Sequence, residues 1–334
     1  MARGSWIAGS AAVMVLTIGI AGCRDSPAAT GTAPPPAESA APAGSAPPAE
    51  SAPPEESAPP ADSAAPAAAP ECGGKPPRNP ARTESAGDAL RFTVTREMSG
   101  QLWDIALSDT SAARYPDLAF TGDLGDGAKT LELRDVYARA MAEDGYAVGV
   151  DGIELSIRNA GDSVATINDV RLVDIGTECL PDGLLVLYGN EGGDPIQVLD
   201  FDLRADIPVA YDGSEPDVEY FSAKTISVQP GTDEQYVRID ATAGAAAYTF
   251  RVEVSYTVAG EAFTQVFGRA GGGPFRVAAL TCPDPDLRRE LSDADIAQLK
   301  SHRWEQIRVR ESGANLQAVR SVTAESYAEN CPTY

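Results

Sequence analysis

Histidine is almost missing from this 334-residue chain: His302, set between Ser301 and Arg303, is the single one. Read as a surface residue of a C-terminal helix beside a basic neighbour that disfavours its protonation, it leaves Ser-His-Asp and multi-histidine metal mechanisms short of parts. No GxSxG, HExxH or P-loop occurs, and no serine stands three residues before any of the four lysines. CxxC pairs are absent too, so sulfur ligation of a metal is not expected. Gly122-Asp-Leu-Gly-Asp-Gly127 lacks the dinucleotide spacing and reads as a loop before a helix; Gly271-Gly272-Gly273 reads as a turn before Phe275. Basic charge is scarce, with 26 Lys and Arg against 49 Asp and Glu and a net charge of −23. Residues 89–282 alone hold 31 acids against 14 bases. Such a field repels nucleic acid, teichoic acids and anionic headgroups, and leaves cationic partners or a merely soluble surface.

A long apolar run is lacking as well. The stretch Trp6–Ala21 is 16 residues, short of the roughly 20 that a helix needs to cross hydrocarbon. With Arg3 before it, this is the h-region of a signal peptide over residues 1–22. Ile20-Ala21-Gly22-Cys23 closes it and resembles the lipobox of bacterial lipoproteins. That resemblance implies cleavage before Cys23, diacylglycerol on its thiol, and a protein held on the outer face of a cell membrane.

Residues 24–88 contain no Phe, Trp or Tyr and hold 16 of the 26 prolines. Hexapeptides repeat in tandem from Ser39, Ser45, Ser51, Ser57 and Ser63. Six residues make two turns of polyproline II, so each repeat presents the same side. The expectation is a disordered Pro-rich tether over 23–88, lifting a domain off a lipid surface. Fully extended it would reach roughly 200 Å, and as a flexible coil about 45 Å.

From Ala89 to Cys282 period-two alternation predicts strands. The clearest run is Tyr248, Phe250, Val252, Val254, Tyr256 and Val258; others centre on Phe92–Val94, Ile153–Ile157, Val164–Val173, Leu184–Tyr188, Leu199–Leu203, Ile226–Val228, Val237–Ala241, Phe263–Phe267 and Phe275–Ala279. Ala259-Gly260-Glu261 sits where a tight hairpin should join two of these strands. Leu133, Val136, Tyr137, Ala140 and Met141 fall on one helical face, with Gly145 as a stop. The fold class expected is all-β: an antiparallel, immunoglobulin-like β-sandwich with one inserted helix. Residues 283–334 are expected to form a short helical appendage, with Ser292 and Asp295 as a capping pair and Ile296, Leu299, Trp304 and Ile307 on one face.

Four cysteines remain beyond Cys23. Three pairings are open for Cys72, Cys179, Cys282 and Cys331; economy favours Cys282–Cys331, stapling the appendage, and Cys72–Cys179, pinning the end of the tether. No metal, cofactor or catalytic residue is expected. A Ca²⁺ site over Glu191, Asp194, Asp200, Asp202 and Asp206 would need an oxygen ligand where Arg204 stands, so those acids read as a solvated strand face. The loop with Tyr211, Asp212, Tyr220 and Phe221 is the candidate recognition edge.

Asp200-Phe201-Asp202-Leu203, Tyr220-Phe221 with Ile226 and Gln229-Pro230-Gly231, the Tyr248–Val258 strand and Gly273-Pro274-Phe275-Arg276 together resemble an uncharacterised group of actinobacterial envelope proteins, over about residues 125–280. The 22 Arg against 4 Lys fit a GC-rich genome of that kind. The resemblance implies fold and compartment and carries over no catalytic residues. The expected function is a membrane-anchored, non-enzymatic binding module for another envelope component, protein or small ligand. A structural spacer without ligand and a carboxylate-based hydrolase are the alternatives.

Overall fold

The computed structural model describes residues 77–80, 85, 87–99, 104–124, 128–188, 197–231, 234–269, 271–283, 285–310 and 318–330. The signal peptide, Cys23, the tether up to residue 76, Cys72 and Cys331 therefore lie outside the described residues, as do Glu191 and Asp194. Among the described residues no helix is long and apolar enough to cross a membrane.

The amino-terminal half supplies β1 (Leu90–Ser99), β2 (Ile105–Leu107), α1 (Asp109–Ala112), a 3₁₀ turn (Pro116–Ala119), β3 (Gly122–Asp123), α2 (Ala128–Glu143), β4 (Tyr146–Val148), β5 (Val150–Asn159) and β6 (Ala165–Glu178). The middle supplies β7 (Leu184–Leu187), β8 (Gln197–Asp202), β9 (Tyr211–Asp212), β10 (Glu215–Glu219), α3 (Tyr220–Ala223), β11 (Ile226–Val228), β12 (Glu234–Thr242), β13 (Ala247–Val258), β14 (Glu261–Phe267) and β15 (Phe275–Ala278). Last come α4 (Pro285–Glu290), α5 (Asp293–Ser301), β16 (Gln306–Arg310), β17 (Ala318–Val322) and α6 (Ala324–Asn330).

Every strand expected from the apolar pattern is present; most bury one face, and β7 buries both, Leu184 and Val186 in one core and Leu185 and Leu187 in another. Ile153, Leu155 and Ile157 of β5, Val237 and Ile239 of β12, and Phe250, Val252, Val254 and Tyr256 of β13 all turn into one main core. Two sheets enclose it. One runs β1-β5-β12-β8-β9-β10; the other runs β11-β6-β13-β15-β4-β2-β7-β16-β17-β3, with β14 also on β13. Burying such faces is worth about 25 cal/mol per Å² of apolar surface.

The protein is mostly β, but the expected antiparallel sandwich is corrected. β8 runs parallel to β12, β15 to β4, and β16 to β7, so both sheets are mixed. Alternation reports which face of a strand is buried and is silent on the direction of its neighbour. The expectation of a helical appendage is corrected as well. α5 forms with the predicted box, Ser292 Oγ accepting from the Asp295 amide at 3.1 Å. It stops at Ser301, and Ile307 lies instead on β16, in the larger sheet, with Trp304 buried beside it.

The hairpin at Ala259-Gly260 has φ of 50° and 87°, the positive pair that a two-residue turn between twisted strands requires. Helix α2 buries the predicted stripe from Leu133 to Met141. Gly145 does follow it, for a reason of packing: a Cβ there would meet Ile105 Cδ1 at 2.6 Å.

Candidate functional site

β1 ends the smaller sheet and β14 flanks β13 in the larger one, and among the described residues the two do not pair. The turn at Ala259-Gly260 makes Val258 and Glu261 its flanking hydrogen-bonded pair, so the backbone groups of Ala262, Thr264 and Val266 point away from β13. Ser85 uses that direction: Thr264 N donates to Ser85 O at 3.0 Å, and Ser85 N returns a bond to Thr264 O at 3.3 Å. On β1, the Ala160 amide bonds Ala89 O at 2.7 Å. The ladder then turns Arg91 and Thr93 toward β5 and leaves the backbone of Leu90, Phe92 and Val94 facing β14. The Tyr256 hydroxyl lies within reach of the Leu90 amide, in agreement with that phase.

Between the two edges lies a groove of about 600 Å³, with Leu90–Thr93 on one bank and Thr264–Phe267 on the other. Its size is in the range of ligand sites. The rings of Phe92 and Phe267 line it, and Tyr256 and Phe263 pack beneath them. Phe92 stacks on Phe267 at 5.6 Å and meets Tyr256 edge-on at 6.2 Å, while Tyr256 lies 5.5 Å from Phe263. Both ends are fastened. At one, Gly87 O accepts from Tyr256 Oη at 3.1 Å and from Gln265 Nε2. Only glycine fits there, because a Cβ would lie 2.6 Å from Phe263. At the other, the Arg269 guanidinium closes on Glu97 Oε1.

Behind that clamp sits Asp151, with no solvent exposure and, among the described residues, no hydrogen-bond partner for either carboxylate oxygen. Burial pushes the Asp151 carboxyl well above the usual range; the Glu97 charge adds to this, and Arg269 opposes it. Burial also raises Glu97, against the pull of Arg269 and then of Arg276. A neutral acid and a shared cation are how such a cluster avoids the cost of unpaired buried charge. Fully enclosed, Asp151 has no face to offer a substrate, which a paired-carboxylate hydrolase would need.

The comparisons with known proteins come back empty. No described family, curated protein or solved structure matches the chain. The geometry must carry the functional reading.

The structure places the residues singled out from sequence elsewhere. Tyr211 and Asp212 form β9, and Tyr220 opens α3 with Phe221 4.9 Å away, edge to face. Asp212 and Tyr220 are buried, Tyr211 and Phe221 are half-buried, and β10, beside them, is the last strand of its sheet with Glu215 and Glu219 exposed. Lys224 and Ser214 hold the Asp212 carboxylate far below its usual range. Asp202 is engaged by Arg204 at 2.8 and 2.9 Å, and Asp206 by Arg78 at 3.2 Å. Asp202 and Asp206 of the Ca²⁺ hypothesis are thus tied to arginines, while Asp200 stands opposite Asp240 on β12; no cluster of acids, histidines or cysteines fit for a metal occurs among the described residues. His302 caps α5, half-buried, with Nε2 3.0 Å from Pro181 O. Burial lowers its pKa, and Arg303 adds the least to this.

Glu97, Asp151, Arg269 and the groove aromatics were not legible as a site. One signal existed: Asp151 is in phase with Ile153, Leu155 and Ile157, an acid at an inward position. Glu97 turns inward only because a bulge between Val94 and Arg96 shifts the phase of β1. A second, polar cavity of about 340 Å³ lies over Asp144, Tyr146 and Arg276. Its cation is already engaged, with Arg276 on the Tyr146 ring at 5.6 Å and Nη1 3.4 Å from Asp144 O.

Proposed function

We propose that this chain is a membrane-anchored, extracytoplasmic and non-enzymatic binding module, whose β1–β14 groove holds a segment of another cell-envelope component. The carrying observation is the groove itself: two rim strands of different sheets line it, with the stacked rings of Phe92 and Phe267 between them. Such edges are usually covered or blunted in natural sheets, because they template pairing. The lipobox at Cys23 and the Pro-rich tether put the module on a membrane.

The two disulfides belong to the same reading, since they form in oxidising compartments. Cys282 Sγ lies 3.4 Å from the Tyr327 carbonyl, on the turn of α6 that leads to Cys331. Asn79 Nδ2 donates to Ile175 O at 2.9 Å, bringing the stretch that follows Cys72 alongside the end of β6 that leads to Cys179.

Photo-cross-linking in intact cells tests this reading. A photoreactive residue in place of Phe92 is expected to give a discrete adduct. The same residue in place of Leu131, 60% exposed on α2, is expected to give none. Equal labelling from both positions, or none from Phe92, would favour a structural spacer and overturn the proposal.

A further inference from the structure

We infer that the corner where Glu97, Asp151 and Arg269 meet is an acid-closed latch between the two sheets, shut while Asp151 carries its proton and opened when that proton leaves. The inference goes beyond the binding reading and holds whether or not the groove is filled.

The acids belong to the smaller sheet and the cation to the larger. Glu97 on β1 stands opposite Ile153 on β5, and Asp151 lies two residues along on that same inner face. Diagonal neighbours of this kind sit about 7–8 Å apart, so each carboxyl feels the other's charge. Arg269 follows β14 and reaches across to Glu97 Oε1. Its Nη1 and both oxygens of the enclosed Asp151 have no hydrogen-bond partner among the described residues. The cation thus serves Glu97 and not Asp151. Of the charges that reach Asp151, Glu97 is the strongest, followed by Arg269 and Asp240. Asp240, opposite Gly152 on β12, faces the outer side and holds Arg238 at 2.6 Å. Arg276, on β15, lies over the Tyr146 ring with Nη1 3.4 Å from Asp144 O. Neither is placed to neutralise an ionised Asp151.

A neutral Asp151 is tolerated in such a site. An ionised one is a buried charge with nothing to pair it, among the most costly states a fold can hold. Parting the corner admits water and removes that cost. The closed form therefore holds a proton that the open form releases, in keeping with the upward push of burial on both carboxyls. Acid shuts the latch and rising pH opens it, by up to about tenfold for each pH unit between the titrations of the two forms. The moving part is the turn that carries Arg269. The Arg269 amide donates to Gly273 O at 2.9 Å and Gly272 N to Arg269 O at 2.8 Å, with Gly271 and Gly272 at φ of 100° and 85°. Glycines cost the most entropy to hold in one shape. Once its arginine lets go, this turn frays while β13 keeps its ladders with β14 and β15.

Hydrogen exchange on the full lipidated chain in detergent, read as protection factors from pH 5 to pH 9, tests the latch. The Arg269 and Gly272 amides should lose at least tenfold in protection between these limits, and Leu155 in the core should not change. Asp151→Asn, of the same shape and uncharged, should keep at pH 9 the protection that wild type shows at pH 5. Should that variant not fold, Glu97→Gln replaces it. Arg269 is then left to pair with an ionised Asp151, and the turn should again stay protected at pH 9. Wild-type protection that ignores pH, or a loss that either folded variant shares in full, overturns the inference.

Discussion

Replacing Arg269 by methionine should cost the fold about 3–5 kcal/mol near neutral pH, because it leaves buried carboxyls without their cation. The guanidinium is 2% exposed and closes on Glu97, whose side chain is 10% exposed, in front of the unpartnered Asp151. The loss should shrink as the pH falls. Both acids already have folded pKa values raised above their ordinary ones, and removing the cation raises them further. A folded state that binds more protons than the unfolded chain loses stability as pH climbs through the window above the ordinary carboxylate range, and regains it on acidification. Each such group contributes a slope of at most about 1.4 kcal/mol per pH unit. Asp212, held low by Lys224, has the opposite sign, but its contribution is lost only below the ordinary carboxylate range. Urea unfolding of wild type and Arg269→Met at pH 4.5 and pH 7.5 separates the cases. A deficit equal at both pH values would mean that lost packing, not charge, accounts for it. No deficit would mean that the clamp does not hold the end of the groove.

The largest effect expected in cells follows from one thiol. Cys23→Ser should abolish incorporation of labelled palmitate and leave the leader of residues 1–22 attached. Two acyl chains at about 0.8 kcal/mol per buried CH₂ provide on the order of 20 kcal/mol, so the change is from fixed to unfixed and not a graded one. Radiolabel in immunoprecipitated protein reads it directly. A mutant that still labels would remove the anchor from the account, and with it the assigned compartment.

The strands were legible because alternation is a local signal: β5, β8, β12 and β13 each write their buried face into two-residue periodicity. The hairpin at Ala259-Gly260 and the stripe on α2 were legible for the same reason. Strand direction was not, since the pairs β8–β12, β4–β15 and β7–β16 form between segments far apart in the chain. Strand β16, Gln-Ile-Arg-Val-Arg, was masked by Ile296, Leu299, Trp304 and Ile307, whose spacing imitates a helical face; the capping of His302 onto Gln298 and Leu299 ends the helix first. The groove was hidden most deeply. Phe92 and Phe267 look like ordinary core residues of two strands, and only the tertiary gap between those strands makes them a floor.

The measurement that bears most directly on the account is residue-resolved hydrogen exchange at the amides of Phe92 and Val266, in the full chain extracted into detergent and in native envelopes. Open edges predict rapid exchange after extraction and at least tenfold slower exchange in envelopes, with Leu155 in the core unchanged between the two. Equal rates at Phe92 and Val266 in both preparations would contradict a groove that is filled where the protein works.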